Sequence, residues 1–291
     1  MQGPAALSRY RMNPADALGG MSALVAATVW GGGDFLGGLA TRQRNPFQIL
    51  AIGSLSGLIC LGIAAAIRNE VWPDGSSILW SAAAGLAGAI GIASLYQGLA
   101  KAEMARVAPT SAVVSVILPV ALNAILSGPF AGIKWLGIAA GLAGILMIHG
   151  WPAEGQDQEG LALAILSGLG FGGFFVLIAQ VQLGSLFFPL VISKAVELVL
   201  AVVIVMLGRS RPPLLIESPL PFAAGICDAG GNVFYLLASQ LTRFGLAAVI
   251  SSMSPAITVL LARVIIKQHL KTVQKLGVVL CLIGVGLIVS G

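Results

Sequence analysis

Four ionisable side chains, Asp34, Lys194, Glu197 and Asp228, stand well inside long apolar stretches of this 291-residue chain. An unpaired charge in such surroundings costs at least about 2.5–3.5 kcal/mol on membrane-insertion scales, so each needs a partner, a proton or an aqueous space. Carboxylates placed this way can hold an ammonium group or carry a proton. Asp228, Asn232 and Tyr235 fall at i, i+4 and i+7, which puts them on one helical face among apolar neighbours. That stripe either lines a substrate path or bonds to other helices. Asp34 follows Gly31, Gly32 and Gly33, where missing side chains admit a ligand or another backbone. It binds substrate or a proton, or makes a helix–helix hydrogen bond. Lys194 and Glu197, three residues apart, can pair, as an internal ion pair that lowers insertion cost or as part of the function. Trp30, beside Gly31, is a cavity wall or a core residue.

The elements that carry these groups are apolar runs long enough to cross a bilayer, which needs about 20 residues as a helix. Spans are expected near 20–40, 46–67, 78–100, 107–126, 133–149, 160–180, 186–207, 221–241, 246–265 and 272–290. A hydrophobic share of 57% against 9% charged excludes a water-soluble fold, and the mean hydropathy of +0.97 agrees. Lipid offers backbone groups no partners, and unbroken runs with 38 glycines read as helices, not as alternating barrel strands. At about 1.5 Å per residue, Asp34 lies roughly 12 Å from Arg42 and Asp228 roughly 10 Å from Pro221. Those two ends fall on one side of the membrane, so the two carboxylates share a layer.

The net charge of +5 comes from basic residues scattered over short loops, with no patch for a nucleic acid. Before Gly20 no apolar core of a cleavable signal peptide stands out, so the first span is expected to direct insertion. Cys60, Cys227 and Cys281 have no CxxC or Cys/His spacing, and His149 and His269 stand alone. HExxH, GxSxG and GxxxxGK[ST] are all missing, so no enzyme, metal, cofactor or nucleotide-driven pump is expected.

The second five spans repeat the first five at an offset of about 140 residues. Trp30-Gly31-Gly32 answers Phe171-Gly172-Gly173, Tyr96 answers Tyr235, and Gly137 and Gly144 answer Gly277 and Gly284. The division expected is a tail over 1–19, repeat one over 20–149, a polar linker over 150–159 and repeat two over 160–291. Five spans per half invert the second half, giving a pseudo-two-fold axis in the membrane plane. The matched tyrosines would then be aromatic gates or walls, or simple packing.

On these residues the chain resembles the drug/metabolite transporter superfamily, EamA type. Each repeat opens with an aromatic-Gly pair and ends its third helix with a Tyr-containing stretch. Each also places a proline in its fourth helix, Pro119 and Pro255, and a spaced Gly pair in its last. The chain departs from the family where a Gly-Glu pair usually precedes the closing helix, since Gly128 and Gln268 stand there, and no role of that glutamate carries over. The resemblance implies a ten-helix secondary transporter with both termini in the cytoplasm. The positive-inside rule points the other way. Arg9, Arg11, Arg68, Lys134 and Arg243 would lie inside, against Arg42, Arg44, Lys101, Arg106, Arg209, Arg211, Arg263, Lys267, Lys271 and Lys275 outside.

Together these readings predict export of a small polar metabolite, an amino acid first, across an inner membrane by alternating access, as a monomer or homodimer. A proton is the natural coupling ion. The residues expected to line the site are Trp30, Asp34, Tyr96, Asp228, Asn232 and Tyr235, with Lys194 and Glu197 as an ion pair. Cationic drugs or nucleosides are the alternative substrates, and a lipid-carrier flippase or channel is the alternative class.

Overall fold

The computed structural model describes residues 14–40, 46–101, 104–149, 158–207, 219–267 and 271–290, and within them every regular element is helical. The helices of the first half are α1 (Pro14–Ala40), α2 (Pro46–Ile67), α3 (Gly75–Lys101), α4 (Met104–Ser127) and α5 (Gly132–His149). The second half has α6 (Gln158–Ile178), α7 (Phe187–Leu207), α8 (Pro219–Leu241), α9 (Phe244–Ser251), α10 (Ser254–Ile265) and α11 (Thr272–Ser290).

Two expectations change. The first helix begins at Pro14 and not near Gly20. The ninth span is not one helix but two, broken around Ser252 and Met253, with Pro255 in the first turn of α10. A proline has no N–H for the helical ladder and starts helices well, which makes it a natural place to restart one. The fourth span runs through Pro119 without such a break. Eight segments, with α9 and α10 taken together, are long and apolar enough to cross a membrane, and 132–148 and 272–288 are shorter apolar helices.

The halves interlock in matched pairs. The contact of α1 with α8 is mirrored by that of α6 with α3, and α1 with α10 by α6 with α4. The α2–α8 contact is mirrored by α7–α3, while α2 with α7 and α5 with α11 are each their own counterpart. The same symmetry holds at residue level. A Cβ at Gly31 would meet the Ser254 carbonyl at 2.7 Å, and one at Gly172 would meet the Ser115 carbonyl at 2.8 Å. Small residues let backbones approach this closely, and in lipid such packing is a main source of helix association. This is the architecture of two inverted five-helix repeats.

Polar links between the halves gather at the end of the bundle where α1 begins. The Glu70 carboxylate accepts the amides of Leu186, Phe187 and Phe188, the last at 2.7 Å, and so caps the start of α7. Arg243 donates to the Asn123 side chain at 3.0 Å and to the carbonyls of Gly128 and Pro129, and its guanidinium lies 4.0 Å from the centre of the Phe130 ring. Thr242 donates to Asp16, and the Gln182 amide to Ser77, both at 2.9 Å.

Candidate functional site

Where α1 crosses α8, a Cβ at Gly33 would sit 3.6 Å from the Asp228 amide, so Asp34 and Asp228 are side by side as well as at one depth. Their carboxylates are close enough to act on each other electrostatically. Asp34 belongs to a stripe of α1 with helical spacing, Gly20, Ala23, Ala27, Gly31, Asp34 and Gly38. The first four are buried, and Asp34 and Gly38 are exposed. This face is held to the second half along its beginning, where Ser251 donates to the Ala23 carbonyl at 3.2 Å and Thr258 to the Gly31 carbonyl at 3.0 Å. It then opens at Asp34. Asp34 therefore continues the face of α1 that packs against the second half. Ser254, the first residue of α10, donates its hydroxyl to Asp34 Oδ2 at 3.3 Å, so the carboxylate faces the positive end of a half-helix.

Asp228 is tied to more than its own helix. The Lys194 ammonium lies 2.5 Å from Asp228 Oδ2 and 2.5 Å from Glu197 Oε2. The pair expected from sequence is thus an ion triad, because Lys194 is long enough to reach from α7 across to α8. Asn232 adds a hydrogen bond to Asp228 Oδ2 at 3.2 Å, and the Trp30 indole N–H donates to the Asp228 carbonyl at 3.2 Å. Lys194 and Glu197 are buried, while 40% of the Asp228 side-chain surface is open.

One helical turn before Asp34, the Trp30 ring stacks on Tyr235 at 5.9 Å and tilts against Phe175 at 5.8 Å, with Phe175 and Tyr235 4.7 Å apart. A side chain at Gly231 would collide with the Trp30 ring, so this glycine makes the indole's seat. Tyr235 is fully buried and donates its hydroxyl to the Phe175 carbonyl at 2.9 Å. It supports the aromatic cluster from behind, with no exposed surface, and Asn232 is 5% exposed. Of the stripe Asp228, Asn232 and Tyr235, only Asp228 is open. The side chain of Tyr96, in the last part of α3, lies outside the described residues.

Phe175 is the residue that sequence reasoning missed. The repeat register pairs it with Asp34, since Trp30-Gly31-Gly32 answers Phe171-Gly172-Gly173. That comparison signals a site built unequally, with a carboxylate in one half and a ring in the other.

Cys60, Cys227 and Cys281 are free thiols. Among the described residues no group of three His, Cys, Asp or Glu side chains is placed to hold a metal.

No curated protein matches the chain. A solved crystal structure superimposes with a TM-score of 0.72 over 92% of this chain and 95% of its own, at 21% identity, which shows a common fold. The model of the EamA-like transporter family matches twice, at residues 17–150 and 158–290. Two matches that together fill nearly the whole sequence, on halves that interlock as mirrored pairs, make this a multi-pass membrane protein that belongs to the EamA-like transporter family.

Proposed function

We propose that the chain is a secondary transporter that exports a small polar metabolite bearing an amino group, an amino acid first, across an inner membrane by alternating access. The observation that carries this is the opening of the inward stripe of α1 at Asp34, directly beside the half-open Asp228. Two carboxylates at the interface of inverted repeats suit an ammonium group. The Trp30, Phe175 and Tyr235 rings form a floor one turn below, and the polar links at the beginning of α1 lie beyond it. In this reading, solute reaches Asp34 from the end where α1 finishes and is blocked from the other. With the termini in the cytoplasm, that open end faces outward.

The experiment is uptake into proteoliposomes of a panel of labelled amino acids, amines and nucleosides, with wild type, Asp34→Asn and empty vesicles in parallel. Uptake of at least one amine-bearing solute, lost in the variant, supports the reading. Transport of nucleosides alone, or no transport at all, would overturn it. A lipid-carrier flippase fits less well, because the buried lysine needed to meet a phosphate head is already engaged by two carboxylates.

A further inference from the structure

The ion triad says something about the transporter when no solute is bound. Lys194 reaches from α7 past α2, where a Cβ at Gly57 would lie 3.6 Å from the lysine Cδ, and ends between Glu197 and Asp228. The two carboxylates are unequal partners. Glu197 is one turn along the same helix with 10% of its side chain exposed, so that pair survives any shift of α7 against α8. Asp228 is on another helix with 40% of its side chain exposed, so that pair can be broken by movement or by a competitor. One partner is permanent and dry, and the other is reachable.

The triad of Glu197, Asp228 and Lys194 carries one surplus negative charge, and Asp34 beside it adds a second when ionised. A cation arriving at Asp228 sends Lys194 back to Glu197 and leaves two balanced pairs. A zwitterion brings a further carboxylate and leaves the surplus in place. An anion adds to it. Buried charge is costly unless compensated, so these outcomes are unequal in energy.

We infer that Lys194 is a tethered cation that occupies the amine subsite at Asp228 in the empty transporter, and that solutes bind by displacing it. This selects net-cationic amines over neutral zwitterions and anions. The inference rests on the site proposed above and narrows it: among amino acids, those with a second amine or a guanidine fit better than neutral ones. It also gives the empty carrier a compensated site with which to reset.

The test is chemical rescue in the purified full-length protein. A hydrophobic carbodiimide activates accessible carboxyl groups, which rearrange to the N-acylurea or couple to an added amine with release of the urea, and peptide mass spectrometry reads the unmodified fraction at Asp228 and Asp34 separately, both products counted as modification. Wild-type Asp228, held by Lys194, should resist modification. In Lys194→Ala it should react, and ethylammonium, standing in for the lost side chain, should protect it at concentrations about tenfold below those that have any effect on wild type. Glycine and ethylurea should not protect. Equal reactivity of Asp228 in wild type and variant would overturn the inference, as would protection by glycine equal to that by ethylammonium. Should Lys194→Ala fail to fold, Lys194→Met with Glu197→Gln removes one charge of each sign, and the same two outcomes decide. Because labelling reads occupancy and not flux, rescue without transport in proteoliposomes refutes the proposed function and leaves the role of Lys194 standing. Transport without rescue does the reverse.

Discussion

At the scale of residues, the buried ion triad changes what a substitution should do. Glu197→Gln leaves Lys194 still facing Asp228, so it does not strand an ammonium, and the thermal midpoint of the purified protein should fall only slightly. Lys194→Met leaves Glu197 and Asp228 uncompensated together, and removing one partner of a buried ionic group costs about 3–5 kcal/mol. Its midpoint should fall clearly below that of Glu197→Gln. The opposite ranking would mean that Glu197 alone holds the lysine. Asp34→Asn keeps volume and the Ser254 contact, so transport should drop more than about tenfold with little change in midpoint, the loss expected when a charged partner of a bound ammonium is removed. Sequence reading found all four charged groups because a charge inside an apolar run is conspicuous. It paired Lys194 with Glu197 because both are on one helix. It could not show that the amine also reaches Asp228, since that depends on how α7, α2 and α8 are placed in space. Tyr235 was legible as a polar mark on α8, but its use of the hydroxyl on Phe175 was not.

At the scale of elements, the crossings are set by where side chains are missing. A Cβ at Gly144 would lie 2.7 Å from the Gly277 carbonyl, and one at Gly277 would lie 2.7 Å from the Gly144 carbonyl. A backbone atom cannot step aside, so Gly144→Ala should force α5 and α11 apart and lower the midpoint. Gly38→Ala, with nothing within 4 Å, should not. Removing the Glu70 cap of α7 by Glu70→Ala should cost roughly 0.5–2 kcal/mol, the usual loss of a helix N-terminal cap. Asp74 does similar work for α3. The hydroxyl and amide of Ser77 hold its carboxyl below the ordinary value of 3.8. A depressed folded-state value means that the contribution is present above the unfolded value and is lost as pH falls through the folded one. Hydrogen-exchange protection of the first turn of α3, relative to the intrinsic rate at each pH, should therefore fall on acidification below about pH 4, and Asp74→Asn should remove that dependence. The Gly pairs of the last spans and the doubled hydropathy were legible in the sequence because inverted repeats keep their packing residues. The break between α9 and α10 was not, since Pro119 in the matching fourth span leaves its helix whole. A proline alone does not say which.

At the scale of the whole molecule, one end of the interface between the halves is knitted by Glu70, Arg243, Thr242 with Asp16, and Ser77 with Gln182, while Asp34 and Gly38, further along the same stripe of α1, are exposed. Inverted repeats make the reverse arrangement available by exchanging the shapes of the two halves. In the proposed function, solute from water reaches Asp34 and Asp228 between those halves. The direct measurement is thiol labelling in a background without Cys60, Cys227 and Cys281, with single cysteines at 34 and 228 and a control at Ile63, a 56% exposed residue of α2. A membrane-impermeant, charged thiol reagent added to proteoliposomes should modify positions 34 and 228 and spare position 63, which only a lipid-soluble reagent should reach. Modification of 34 and 228 by the lipid-soluble reagent alone would place both carboxylates against lipid or packed protein and contradict the account.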